Sequence, residues 1–213
     1  MAAPPAKPGR NCPRCPRLAA FRQTWREREP VWFNAPVPSF GPVDARLLIV
    51  GLAPGLRGAN RTGRPFTGDY AGDLLYATLK EFGFSRGEFE ARPGDTLELV
   101  DARITNGVRC VPPENKPTPA EINTCRDFLV PTIAEMKNLR AIVVLGRIAH
   151  ETTVKALGLK RAAAPFSHGG KATTGTLALF SSYHCSRYNT NTGVLTPSMF
   201  RAVFKAVRGY LDA

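Results

Sequence analysis

Residues 46–50, RLLIV, end at Gly51 and open into a glycine-rich loop, GLAPGLRGANRTGRPFTGDYAG, residues 51–72. A short branched run closed by glycine suits a buried parallel strand better than a helix. Apolar residues at helical spacing over 72–82 then predict a helix, and residues 99–104 read as a second strand ending at Thr105 and Asn106. The string TPAE, residues 118–121, supplies an N-cap threonine, a proline at the first helical position and a glutamate placed for a capping box. A third strand, AIVVL at 141–145, stops at Gly146 and is followed by a helical segment. A fourth, residues 177–182, leads to His184, and Thr196 with Pro197 begins a last amphipathic helix through Phe200, Val203 and Phe204.

Strands alternating with helices predict an α/β fold, a three-layer α/β/α sandwich around a central, mostly parallel four-stranded sheet. In open sheets of this kind ligands sit beyond the carboxyl ends of the strands. Gly51, Asn106, Gly146 and His184 all fall there, so their loops are expected to converge on one cleft. Order is expected to begin in earnest near Ala45, after an irregular lead-in marked by Pro36, Pro38 and Pro42. Residues 1–11 read as a disordered or irregular tail and 12–213 as a single domain.

Four of the five cysteines form a long-range pattern. Cys12 and Cys15 frame CPRC, while Cys110 and Cys125 stand far downstream. No local turn explains that spacing, and soft sulfur ligands select a metal or an iron–sulfur centre. The start, MAAPPAKPGR, has no apolar run suited to a signal peptide, and no later segment approaches membrane-spanning length, so a cytoplasmic protein without membrane contact is expected. In a reducing compartment such cysteines are ligands more often than bridges. With 29 lysines and arginines against 17 acidic residues, net charge +12, the expected partner is a polyanion.

The glycine-rich loop lacks the GK[ST] ending of a P-loop and the GxGxxG of a dinucleotide fold, so neither nucleotide class is supported. As a literal string it resembles the first motif of family 5, or B-type, uracil-DNA glycosylases. HCSRYNTNTG, residues 184–193, looks like that family's second motif, which usually begins HPS. The contexts TNGVRCVPPENKPTPAE (105–121) and INTC (122–125) agree, and the resemblance spans almost the whole chain after Asn11.

That resemblance implies a monofunctional, monomeric glycosylase that removes uracil, and other deaminated bases such as hypoxanthine or xanthine, from DNA. It implies a four-iron four-sulfur cluster held by Cys12, Cys15, Cys110 and Cys125, with structural zinc as the competing occupant. Cys185 stands where the family has proline and reads as an inert filler. Phe66 would stack on the flipped base, Asn106 would read its edge, and Gly51 and Ala53 would line the site. His184 would donate to the leaving base as charge develops. The stretch after Gly51 is Leu52, Ala53, Pro54, without the carboxylate or amide of sister families, so Asp69 is the nearest candidate to orient water, against the plain reading of a helix-terminal carboxylate. Ser186, Arg187, Tyr188 and Asn189 would meet DNA, with Ser186 on phosphate and Arg187 or Tyr188 as the wedge. Lys116, Arg57 and Arg61 are further candidates for the backbone, and Tyr70 is a candidate to exclude thymine. No lysine is placed for Schiff-base chemistry, so no strand cleavage is expected. The rival class is a non-catalytic, metal-stabilised nucleic-acid-binding module.

Overall fold

The computed structural model describes residues 7–213. In chain order the helices and strands are α1 (Pro16–Arg28), β1 (Leu47–Gly51), α2 (Ala59–Thr62), α3 (Tyr70–Glu81), β2 (Ser85–Arg86), β3 (Glu98–Leu99), β4 (Ala102–Asn106), α4 (Pro119–Glu135), β5 (Ala141–Leu145), α5 (Arg147–Ala156), β6 (Lys171–Thr174), β7 (Leu177–Ser182), α6 (Arg187–Asn191) and α7 (Pro197–Asp212). The main sheet runs β4-β1-β5-β7-β6, parallel except for β6.

The layers follow from the two-residue period of a strand. Leu47 and Ile49 of β1 and Ala141, Val143 and Leu145 of β5 face the side covered by α3 and α7. Leu48, Val50, Ile142 and Val144 face the opposite side, with Leu129 of α4 and Val154 of α5. Both faces are apolar, so these strands read as unbroken hydrophobic runs. Capping at 118–121 is as the sequence predicts: Thr118 accepts from the Glu121 amide and Glu121 accepts from the Thr118 amide, with Pro119 opening α4.

Four expectations need correction. The sheet has five strands, because the polar KATT of β6 pairs antiparallel with β7 at the edge, where no apolar run is required to announce it. The stretch 99–104 is not one strand. Asp101 adopts φ +54° and splits it, leaving β3 to pair with β2 while β4 joins the main sheet. Asp101 is held there by Arg46, whose amide and Nε donate to its two carboxylate oxygens at 2.7 and 2.8 Å. The helix expected over 72–82 starts earlier, at Tyr70, because Asp69 caps it by accepting from the Gly72 amide.

Order also begins well before Ala45. α1 is too polar to show an apolar stripe, and cross-chain contacts hold it instead. Arg17 pairs with Glu121, and Arg26 donates to the Arg10 carbonyl, Asn11 Oδ1 and the Asn34 carbonyl. Of the expected N-terminal tail, residues 1–6 lie outside the described residues, and residues 10 and 11 rest against α1 through Arg26.

Candidate active site

Gly51 and Asn106 are register partners at the carboxyl ends of β1 and β4, and the pairing continues past the strands through Gly107 N–H to the Gly51 carbonyl and Val108 N–H to the Leu52 carbonyl. Gly146, at the end of β5, donates to the Ser182 carbonyl at the end of β7, two residues before His184. The strand ends therefore bring these loops together as the topology rule requires.

Gly51 is needed for close approach. A Cβ at this position would overlap Asn106 Oδ1 and stand 2.8 Å from the Phe66 ring. The Phe66 ring lies 6.1 Å from that of His184, centre to centre, with 28° between the planes. Aromatic plate, amide and imidazole thus share one neighbourhood. Asn106 is only 4 % exposed, yet its side chain makes no hydrogen bond within the described residues, and the His184 ring makes none either. A buried amide left without a protein partner is costly unless something else satisfies it.

Phe66 has φ +54°, a left-handed conformation uncommon for an aromatic residue and worth about 1–3 kcal/mol of strain. Its neighbours hold it there. Tyr76 Oη donates to the Pro65 carbonyl at 2.6 Å, and Arg64 Nε donates to Thr67 Oγ1 at 2.7 Å. Arg64 forms a two-pronged ion pair with Asp95, both oxygens at 2.6 Å, and lies over the rings of Phe40, Tyr76 and Phe89. The Phe66 carbonyl runs so close to α3 that a Cβ on Gly72 would overlap it. This clamp escapes sequence reading, because Arg64 and Asp95 are thirty-one positions apart and no local pattern joins them.

His184 is densely surrounded, and desolvation draws its pKa down to about 4, so the imidazole is neutral near pH 7. Asn189 Nδ2 donates to the His184 carbonyl at 2.8 Å, tying the short helix α6 to the histidine. Asp69 caps α3, and its Oδ2 also faces Gly55 and Gly58 across the first-motif loop, near enough that a Cβ on Gly58 would stand 2.6 Å from it. Burial raises its carboxyl above the ordinary range, partly offset by the Gly72 amide. Ala53 packs on the apolar cluster that holds Leu18, Val108, Phe128 and the cysteines.

In the second-motif loop, Ser186 caps α6 by accepting from the Asn189 amide. Arg187 lies 5.4 Å over the Tyr70 ring, joining the two motif loops, whereas Tyr188 projects with 74 % of its surface exposed. Arg57, Arg61 and Lys116 are exposed, and Lys116 pairs with Glu114 at 3.5 Å. Cys185 is fully buried, with its thiol against the Ala71 carbonyl.

Cys12, Cys15, Cys110 and Cys125 line one hollow beside Leu18 and Phe128. Among the described residues, no three of the His, Cys, Asp and Glu side chains are gathered tightly enough for a single metal ion. Burial raises the thiols of Cys110 and Cys125 to about 12 and 11, and that of Cys15 as well, so ligation here displaces protons. The sequence reading also passed over Arg22 and Arg109 at this hollow. Arg109 flanks Cys110, and Arg22 lies two helical turns beyond Cys15, a spacing that becomes informative only once α1 is known to be a helix.

Comparison with known proteins agrees with this geometry. Residues 38–208 match the family model described as the uracil DNA glycosylase superfamily. A type-5 uracil-DNA glycosylase of Thermus thermophilus is 47 % identical over 199 residues, covering 90 % of each chain. That of Pyrobaculum aerophilum is 38 % identical over 92 % of this chain and 87 % of its own, and a type-4 enzyme of the same organism is 31 % identical over 89 % and 83 %. A five-stranded, mostly parallel sheet, a match over most of the chain and relatives at this identity lead to one conclusion: the chain belongs to the uracil-DNA glycosylase superfamily, hydrolases acting on N-glycosyl bonds.

Proposed function

We propose that the protein is a monofunctional DNA glycosylase that removes uracil from DNA and, through the same contacts, hypoxanthine and xanthine. One observation carries the reading: Phe66, Asn106 and His184 converge around Gly51, with the Asn106 amide and the His184 imidazole both without a hydrogen bond among the described residues.

The flipped base stacks on Phe66 and turns its edge to Asn106. The amide oxygen accepts from the ring N3–H of uracil, and the amide nitrogen donates to the adjacent O4. Hypoxanthine and xanthine present the same N–H beside a carbonyl, whereas cytosine presents an unprotonated nitrogen beside an amino group. That mismatch would leave the buried amide unpaired, which is how such sites discriminate strongly. As the glycosidic bond breaks, negative charge moves onto the departing base, and neutral His184 stabilises it by donating an N–H. Asp69, facing the first-motif loop, orients the water that meets the oxocarbenium-like sugar. Gly51 and Ala53 line the site from the first-motif loop.

Cys12, Cys15, Cys110 and Cys125 would hold a four-iron four-sulfur cluster. Zinc, with Zn–S bonds of about 2.3 Å, needs its sulfurs within about 4 Å of one another. A zinc ribbon has two close cysteine pairs, whereas the second pair here, Cys110 and Cys125, is open by fourteen residues, and all four thiols line one hollow, which favours the iron–sulfur core. Its chemistry is that of a structural pin: Cys110 follows Asn106 by four residues, and Ala53 packs on the same apolar cluster as Cys110 and Cys125, so the centre braces the base-reading loops.

The test is to incubate uracil-containing oligonucleotides with anaerobically purified protein and reveal abasic sites with alkali. Strand breaks only after alkali are expected, with uracil, hypoxanthine and xanthine substrates. No break with any of the three ends the proposal. Tyr188 is read as the wedge, because Arg187 is engaged on Tyr70. Tyr188→Ala is therefore expected to lower kcat/KM on duplex DNA by about tenfold while barely affecting single strands, given that unstacking costs a few kcal/mol only in the duplex. Equal losses on both substrates would assign Tyr188 another role.

A further inference from the structure

Three arginines line the cysteine hollow, and they differ in how their charge is met. Arg14 is partly exposed and pairs with Asp127. Arg22 and Arg109 are 5 % and 1 % exposed, and neither has an ion pair with a carboxylate among the described residues. Arg22 donates from Nη1 to Cys110 Sγ at 3.4 Å and from Nη2 to the Cys12 carbonyl at 3.0 Å. Arg109 donates from its two Nη atoms to the hydroxyls of Ser39 and Thr132, both at 2.9 Å, and its backbone N–H donates to Cys125 Sγ at 3.3 Å. In both residues Nε is sealed from solvent and has no hydrogen-bond partner.

Two guanidinium groups buried without a carboxylate are expensive, because a buried charge is tolerated only when it is paired and hydrogen-bonded. Guanidinium does not escape by losing its proton. Arg22 already donates to Cys110 Sγ and the Arg109 backbone to Cys125 Sγ, so a centre held in the hollow they line is an anion placed to meet both charges. Four thiolates bring four negative charges, which an iron–sulfur core offsets only in part, so the liganded centre is an anion. It also presents sulfur acceptors to idle N–H groups.

We infer that Arg22 and Arg109 are the counter-charges of the cysteine-held centre, fixing its retention and its reduction potential. The inference rests on the cluster reading above. Reduction adds an electron to an already anionic site, so a positive charge and an N–H donor beside the sulfurs favour the reduced form. Removing either should shift the potential to more negative values. Arg201, which pairs with Glu81 where α7 meets α3, should have no such influence.

The experiment uses full-length protein purified anaerobically, with iron and sulfide content and the potential of the bound centre measured for wild type, Arg22→Gln, Arg22→Lys, Arg109→Gln and Arg201→Gln. Arg22→Gln is expected to lower the reduced-to-oxidised ratio at fixed applied potential at least tenfold, about 59 mV for a one-electron couple. Arg22→Lys keeps the charge and should recover most of that shift, while Arg201→Gln leaves the potential unchanged. Loss of the centre from Arg22→Gln and Arg109→Gln with retention in Arg22→Lys also supports the inference. A fully loaded Arg22→Gln with the wild-type potential overturns it, as does equal loss of the centre in Arg22→Gln and Arg22→Lys, which would indicate packing rather than charge. Wild type free of iron defeats the cluster reading itself, and this inference with it.

Discussion

His184→Ala is expected to lower kcat on uracil-containing DNA by about 10²–10⁴-fold, the usual range for a positioned proton donor, with little change in KM. The side chain has no hydrogen bond to lose among the described residues, so its removal should leave the fold intact. Single-turnover excision and thermal melting of the same preparations check both halves. Activity within a factor of three of wild type would remove His184 from the chemistry. The pH profile provides an independent reading. With the imidazole pKa drawn down to about 4 by desolvation, the neutral donor persists through pH 5–8, and the acid limb of kcat/KM assigned to this residue should lie near 4. A limb near the ordinary value of 6.5 would mean that the imidazole is well solvated in the free enzyme.

The same shift bears on stability, with a definite sign. A histidine whose folded pKa is depressed leaves the unfolded chain binding more protons between pH 6.5 and 4. Its contribution is therefore fully present above pH 6.5 and is lost as pH falls toward 4. His184→Ala should melt with a shallower acid dependence in that window than wild type.

The second large effect is on stability. Asp95→Asn would leave Arg64 charged, nearly buried and without its carboxylate, since the side chains of the pair are only 8 % and 0 % exposed. Breaking such a pair from one side costs about 3–5 kcal/mol, and for a chain of this size that lowers Tm by roughly 6–20 °C. The damage should reach the site, because Arg64 also fixes Thr67 beside the strained Phe66, so KM for uracil-containing DNA should rise. Asp95 is held down at about 2 chiefly by Arg64. A depressed carboxylate stabilises above its ordinary pKa of 3.8 and loses that contribution as pH falls toward 2. The difference in Tm between wild type and Asp95→Asn should therefore narrow below pH 4. A variant melting within 2 °C of wild type at pH 7 would show that Arg64 finds its counter-charge elsewhere.

What was legible in the chain followed from local rules. β1, β5 and β7 announce themselves because both faces of a central parallel strand are buried, which leaves unbroken apolar runs such as AIVVL. The α4 start is written in four residues, since a capping box is local chemistry. The two motif strings and the cysteine spacing named the family that the comparisons then supplied, and they named the residues that meet around Gly51.

Other features had no such local signature. β6 is a polar edge strand, and an edge has one side in water, so KATT carries no hydrophobic signal. α1 is held by ion pairs to distant segments, and Asp101 breaks a strand only because Arg46 is there to bind its carboxylate.

By itself, then, the amino-acid order determined the layer architecture and the central strands, properties carried by neighbours a few positions apart, and its motif strings pointed to the residues proposed for the chemistry. Only the tertiary structure decided the neutral state of His184, the strain at Phe66, the Arg64–Asp95 clamp and the unpaired arginines at the cysteine hollow. The physical reason is that desolvation and charge pairing depend on which groups come within a few ångströms in space. Residues thirty to a hundred positions apart supply them, and no local pattern encodes that meeting.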